Sequence, residues 1–193
     1  MPRLFIISGC NGSGKTTASY TVLPELLECS EFVNSDEFAK SFSPTNPDGA
    51  SIRAGRFMRM KIDRLFERRA DFGIESTLAT RSLLKLIKGA QEKGYTVFLL
   101  YLWLSSPEVA LNRIRARIAA GGHAVEEETV RRRYYHGLSN LIRDYIPAVD
   151  TWMIADNTHP PFRMVAEGNR KGTTIIDPAT YERIHDQIEE YLP

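Results

Sequence analysis

The densest chemistry in this chain lies near its N-terminus, in Gly9-Cys10-Asn11-Gly12-Ser13-Gly14-Lys15-Thr16. The spacing is G-x-x-x-x-G-K-[ST], that of a phosphate-binding loop. Glycines at these positions let backbone N–H groups converge on phosphate oxygens without Cβ clashes, and a following helix adds the positive end of its dipole. Gly9, Asn11, Gly12, Ser13, Gly14 and Thr17 are expected to line the phosphates. Lys15 is expected to reach the β- and γ-phosphates, and Thr16 to offer its hydroxyl to Mg2+. The apolar run Leu4-Phe5-Ile6-Ile7 stands directly before the loop and helix-compatible residues follow it, the context a chance glycine turn would lack.

Phosphoryl transfer also needs an acceptor base and cations for the charge that spreads over the equatorial oxygens. Asp36 follows a short apolar segment, Phe32-Val33-Asn34, where a carboxylate can orient or deprotonate an acceptor hydroxyl; the plainer reading is a helix cap beside Ser35. Glu75 ends another apolar segment and is a candidate for binding the acceptor, or else a cap or ion-pair partner. Arg113 and Arg117 stand four apart on one predicted helix, and Arg131, Arg132 and Arg133 open the next, with Gly121-Gly122 as the joint between them. Such a cluster can close over ATP and expel water, so 113–133 is read as a lid-like region; the alternative is two solvated helix faces. Arg53, Arg56 and Arg59 crowd an earlier helix, mostly as a solvated face, with Arg53 a candidate for an anionic acceptor. His123 follows the glycine joint and reads as a structural or nucleotide-side hydrogen-bonding group, and no H-x-x-x-H spacing points to zinc.

The elements that must position these residues alternate strand and helix, the pattern of a parallel α/β sheet. Strands are predicted at Leu4–Ser8, Phe32–Asn34, Asp71–Glu75, Tyr95–Leu104 and Trp152–Ala155, giving a mostly parallel five-stranded sheet within a three-layer P-loop NTPase sandwich. The fourth, the most apolar, is expected to be central and buried on both faces. Helices are predicted after the loop, where Pro24 should kink or end the first, and at Gly49–Arg69, Arg81–Lys93, from Ser106-Pro107, at Glu126–Tyr145 with Pro147 ending it, and at Pro178–Glu190. Phe162–Ala166 and Thr173–Ile176 form two further short-strand candidates around a turn. Strand ends carrying Asp36 and Glu75 fall on the carboxyl edge, where open parallel sheets bind ligands.

The 193 residues fit a single domain, 1–193, with 42% hydrophobic content. Lys plus Arg number 25 and Asp plus Glu 24, so global charge gives no reason to expect nucleic acid or a membrane surface. The N-terminal apolar segment is too short for a secretory signal, no segment is long enough to span a bilayer, and Cys10 and Cys29 suggest neither disulfide nor metal cluster, so a cytoplasmic enzyme is expected. The chain lacks the N-K-x-D of GTPases, the L-S-G-G-Q of transporter ATPases and an apolar strand ending in Asp-Glu. A small-molecule kinase fits what remains; a nucleotide-binding regulatory ATPase without an acceptor is the alternative.

The ordered set Ile6–Thr17, Val33-Asn34-Ser35-Asp36-Glu37, Ile74-Glu75-Ser76-Thr77-Leu78, Gly94-Tyr95, Arg113 with Arg117, Gly121-Gly122-His123 and Arg131–Tyr135 resembles the zeta-toxin family of P-loop kinases over roughly residues 3 to 168. The resemblance implies an adenylate-kinase-like sheet with a helical lid, ATP as donor and, from the longer toxins, a hydroxyl of UDP-N-acetylglucosamine as acceptor. It places the catalytic aspartate at Asp36, acceptor contacts at Glu75 and Thr77, and ATP-side arginines among Arg117, Arg132 and Arg133. An antitoxin-like protein partner belongs to the same expectation. The chain is shorter than those toxins and ends its second strand Asn34-Ser35-Asp36 where they more often carry a further Asp, so mechanism carries over better than acceptor.

Overall fold

The computed structural model describes residues 1–20, 29, 31–34, 51–122 and 124–191, the side chains of 51–54 excepted. Asp36, Pro24, His123 and the side chain of Arg53 lie outside the described residues. The strands are β1 (Arg3–Ser8), β2 (Phe32–Val33), β3 (Phe72–Ser76), β4 (Thr96–Trp103), β5 (Thr151–Asp156), β6 (Arg163–Asn169) and β7 (Gly172–Ile175). The helices are α1 (15–20 as described), α2 (Ser51–Glu67), α3 (Leu83–Glu92), α4 (Pro107–Ala119), α5 (Glu127–Asn140) and α6 (Pro178–Tyr191).

The strands form one sheet in the order β2-β3-β1-β4-β5-β6-β7. The five expected strands are mutually parallel, with β1 between β3 and β4, so the phosphate loop leaves the middle of the sheet. The expected five-stranded sheet is corrected to seven: β6 and β7 add antiparallel to β5. Their sequences are polar and only partly apolar, as suits a hairpin at the sheet's edge, and Arg170-Lys171 make its turn.

One face carries most of the core. Leu4, Ile6, Ile74, Val97, Leu99 and Ile154 pack beneath apolar residues of α2 to α6, including Leu65, Ile87, Leu111, Leu138 and Ile184. Burial of this stripe is the main gain from closing the sheet against its helices. The other face holds Phe5, Ile7, Leu102 and Ala155 against Ala18 and Cys29. On that face Phe98 and Leu100 are half-buried, so β4 is central but not fully buried on both faces.

Local signals work as chemistry requires. Ser106 accepts the Val109 N–H at 3.4 Å and Pro107 takes the first position of α4. Gly94, with φ +79°, closes the end of α3 through its N–H to the Gln91 carbonyl at 2.9 Å. The single helix expected over Glu126–Tyr145 is instead α5, a π-helical turn over Leu141–Tyr145, and a last turn over Ile146–Ala148. Pro147 lies in that last turn, and the helical run stops one residue after it, at Ala148.

Candidate nucleotide and acceptor site

The loop after β1 turns so tightly that its glycines leave no room for side chains. A Cβ on Gly9, at φ +139°, would lie 2.4 Å from the Leu102 carbonyl oxygen, and one on Gly14, at φ +92°, 2.7 Å from the Asn157 amide nitrogen. Positive φ favours glycine at both positions, and at Gly9 the approach of a backbone carbonyl demands it as well, as the motif predicts. Asn157 donates to the Ser13 carbonyl at 2.7 Å, tying the loop to the end of β5. Ser13 Oγ is buried inside the turn with no hydrogen-bond partner among the described residues. Lys15 Nζ lies over the loop and donates to the Cys10 carbonyl at 2.9 Å. Burial pushes the Cys10 thiol up to about 11, ahead of the opposing effects of Lys15 and Arg113, so it stays neutral beside an anionic ligand.

From this loop a cleft of about 610 Å3 runs to Ser76, Thr77, Ala79 and Thr80, and Asn34, Glu75, Arg113, Arg117 and Arg133 line it as well. Register brings Glu75 here: β1 and β3 run parallel with Ile7 opposite Glu75 and Ser8 opposite Ser76, so both strands end on one edge. Glu75 Oε2 accepts from Thr16 Oγ1 at 3.3 Å and from Asn34 Nδ2 at 3.1 Å; Oε1 accepts from Ser19 Oγ at 3.4 Å.

The far wall, 76–80, is held from behind by α5 and the turn that follows it. Asn140 Nδ2 donates to the Leu78 carbonyl and Tyr145 Oη to the Thr80 carbonyl, each at 2.7 Å. Leu78, at φ +54°, takes a left-handed conformation that these bonds help to hold.

The arginines divide by placement. Arg117 lines the cleft from α4, and Arg133 lines it from α5 while donating to Asn11 Oδ1 at 3.2 Å. Arg113 is a strut: its guanidinium donates to the carbonyls of Asn157 at 2.7 Å, Thr158 at 3.0 Å and Gly12 at 3.4 Å. Arg131 pairs with Glu108 and Arg115 with Glu127, which ties α4 to α5; the Arg131 hydrogen bond holds the Glu108 carboxyl below its ordinary range. Arg132 is exposed and does not line the cleft.

The structure therefore brings Asn11, Gly12, Gly14, Lys15, Thr16, Thr17, Glu75, Thr77, Arg113, Arg117 and Arg133 around one cleft. Sequence reading missed Asn34, Ser19, Asn157 and Asn140 as positioning residues. Asn34 and Asn157 stand at strand ends on the ligand edge, a signal that applies to polar residues as well as to acids. Ser19 and Asn140 lie inside helices and gave none.

The residues fit a nucleotide with a divalent cation by their donor set. The turn offers backbone N–H groups and a lysine, and Thr16 and Glu75 supply the hard oxygens that Mg2+ takes. Among the described residues no cluster of three or more His, Cys, Asp or Glu marks another metal site, and no helix is long and apolar enough to cross a membrane.

Comparison with known proteins agrees with this geometry. A model of the family described as zeta toxin matches residues 1–177. A protein of Haemophilus influenzae is 35% identical over 126 residues, 65% of this chain and 88% of its own, and its name assigns no activity. The fold is similar to the crystal structure of AvrRxo1-ORF1:AvrRxo1-ORF2 with sulphate ions (TM-score 0.74, 20% identity, 95% of this chain), where the chain spans 63% of its counterpart. It is also similar to a structure from the PezAT chromosomal toxin–antitoxin system of Streptococcus pneumoniae (TM-score 0.70, 16% identity, 98% of this chain and 87% of that one). With the phosphate loop in place and the family matched over nearly its whole length, the chain belongs to the zeta toxin family.

Proposed function

We propose that this protein transfers the γ-phosphoryl group of ATP to a hydroxyl of a small acceptor, a sugar nucleotide such as UDP-N-acetylglucosamine being the first candidate. The observation that carries the reading is the shape of the cleft. It does not stop at the phosphate loop but continues past it to Ser76, Thr77, Ala79 and Thr80, which supports room for a second ligand beside the nucleotide. A nucleotide switch would need the first part alone.

In this reading the loop amides and Lys15 hold the phosphates, and Arg117 and Arg133 meet the charge that develops on the transferred group. Bound Mg2+ would neutralise phosphate charge and orient the phosphates from Thr16. Asp36, two residues after the cleft-lining Asn34, orients or deprotonates the acceptor hydroxyl, and Thr77 and Arg53 contribute acceptor contacts. Residues 113–133 act as a lid within one kinase domain, 1–193. The enzyme works in the cytoplasm, where ATP is supplied. The partnered assemblies named for the AvrRxo1 and PezAT relatives support an antitoxin-like partner for this chain too.

The test is an ATP-consumption screen against sugar nucleotides, sugars and nucleosides, with phosphorylated products identified by mass and Lys15→Ala as the control. A product 80 mass units heavier than one acceptor (roughly the mass of an added phosphoryl group), formed by the parent and not by the control, is the expected result. Slow ATP hydrolysis with no phosphorylated product across the panel would favour the regulatory ATPase instead.

A further inference from the structure

We propose that Gln187 of α6 is a positioning residue for Arg133: through Tyr134 it fixes the turn of α5 that aims the Arg133 guanidinium into the cleft. The proposal rests on the kinase reading above. It adds a residue of α6, a helix that begins at Pro178, after the last residue shared with the family.

Three segments meet at the Gln187 amide. Its Oε1 accepts from Trp103 Nε1 at 3.2 Å, at the end of β4, and from Tyr134 Oη at 3.0 Å, on α5. Its Nε2 donates to the Ser105 carbonyl at 3.0 Å, one residue before the Ser106 cap of α4. An amide answers all three at once, because the indole N–H needs an acceptor and the carbonyl needs a donor. Trp103 and Tyr134 are buried, so an alkyl chain in place of the amide leaves polar groups without a partner.

Tyr134 is where this contact reaches the cleft. Val130, Tyr134, Gly137 and Leu138 make the buried face of α5. Arg133, about 100° around the helix from Tyr134, lines the cleft. It also donates to Asn11 Oδ1 of the phosphate loop at 3.2 Å. Tyr134 Oη lies 2.6 Å from the Leu104 carbonyl as well, so the end of β4 and α6 hold it together. A helix free to turn about its axis would carry the guanidinium sideways at the end of a long side chain. A misplacement of about 1 Å can cost on the order of 100-fold in rate. The ion pairs Arg131–Glu108 and Arg115–Glu127 join α5 to α4 at the exposed surface, where such pairs hold weakly, whereas Tyr134 is held inside.

The test compares binding of ADP with binding of ADP plus aluminium fluoride, a mimic of the transferred phosphoryl group, both in Mg2+ and by calorimetry. The parent should favour the mimic, because the charge that Arg133 meets is present only there. Gln187→Met keeps the length and removes the amide. It should lose roughly 10-fold of the mimic's advantage, with ADP affinity within about twofold of parental. A control of equal unfolding temperature on the same helix, Ile188→Val or Ile188→Ala, should keep the advantage. Because Gln187 acts through Arg133, the double variant Arg133→Ala/Gln187→Met should lose little more than Arg133→Ala alone. If Gln187→Met does not fold, Tyr134→Phe keeps the ring and removes the hydroxyl, and it should show the same selective loss. A parental advantage in the variant that folds, an equal loss in the Ile188 control, or additivity with Arg133→Ala would overturn the proposal and leave Gln187 as packing alone. A parent that binds ADP and the mimic equally would instead defeat the kinase reading.

Discussion

Gly137 of α5 packs directly on the carbonyl of Thr77, so closely that a Cβ at Gly137 would lie 2.4 Å from that oxygen. The helix thus serves as a template for the far wall of the cleft, with Asn140 and Tyr145 holding the next carbonyls along. A mid-helix glycine costs about 1 kcal/mol against alanine, and the close contact is what requires it here.

Gly137→Ala should therefore not stabilise the helix. The methyl must push Thr77 away, so unfolding free energy should fall by about 1–3 kcal/mol. The acceptor KM should rise while nucleotide affinity stays near parental. Denaturant unfolding and steady-state kinetics with each ligand varied separately check this; a more stable variant with unchanged KM would show that the wall yields freely.

Arg113 gives a second contrast. Its three carbonyl contacts join the phosphate loop to the segment after β5. Arg113→Gln should cost about 2 kcal/mol of stability, the scale of charge-assisted hydrogen bonds in a partly buried site. Nucleotide affinity should fall with it, and turnover at saturating ATP should be largely kept. Arg113→Lys should rescue little, since a single ammonium does not reproduce the guanidinium fork. Thermal unfolding and nucleotide titration are the measurements; a loss confined to kcat would make Arg113 a transition-state contact.

These two positions show where sequence was legible and where it was not. The phosphate loop, the parallel order of its strands and the sheet edge holding Glu75 follow from short-range pattern: an apolar run, fixed glycine spacing and strand–helix alternation. Arg113 and Arg117 look identical in that pattern, one turn apart on a helix. Only tertiary placement separates them, because the end of β5 arrives beside Arg113 and leaves Arg117 toward the cleft. Gly137 was unreadable for the same reason: its neighbour is 60 residues away in the chain. The hairpin β6–β7 showed its strands in sequence but not its pairing, which depends on β5 offering an open edge.

The arginines on α4 and α5 separate by placement, and their variants should separate by kinetics. Arg117→Ala and Arg133→Ala should lower kcat by roughly 10^2- to 10^3-fold, more than they weaken ATP binding, because the charge they meet grows in the transition state. Arg132→Ala, exposed and away from the cleft, should remain near parental. Single-turnover phosphotransfer with each variant decides it, and a loss at Arg132 equal to that at Arg133 would place both arginines at the transferred phosphoryl group.

The neutral thiol of Cys10 makes stability pH-dependent in a definite direction. Burial raises it from 9.0 to about 11, so the folded chain holds a proton that the unfolded chain releases between those values. The stability it contributes is complete below pH 9 and is lost as pH rises through 11. The loss should be on the order of 2 kcal/mol. Buried tyrosines 101 and 134 shift in the same direction, so the measurement is a difference: Cys10→Ala should show a shallower decline from pH 8.5 to 11 than the parent. Urea unfolding at several pH values gives both curves, and parallel curves would mean that the thiolate is accommodated in the fold. Cys10 should also resist alkylation by iodoacetamide at pH 8 until the protein unfolds.

Asp36→Asn tests whether the chain transfers phosphate or merely binds nucleotide. It lies outside the described residues, but the chain reaches it two residues after Asn34, which lines the cleft and donates to Glu75. If its carboxylate orients or deprotonates the acceptor hydroxyl, Asp36→Asn keeps the size and removes the charge. Phosphotransfer should then fall by roughly 10^2- to 10^4-fold with ATP affinity little changed. A metal role would produce a different pattern: Mg2+ affinity would drop and excess Mg2+ would restore part of the rate. A capping role would lower stability by about 1 kcal/mol and spare the chemistry. Acceptor-dependent transfer across a range of Mg2+ concentrations, set beside ATP affinity and thermal unfolding, separates the three. Near-parental transfer by a folded Asp36→Asn protein would remove Asp36 as the base and leave the proton to pass directly to the transferred phosphoryl oxygens, a route open to a loose transition state in which the nucleophile needs little activation.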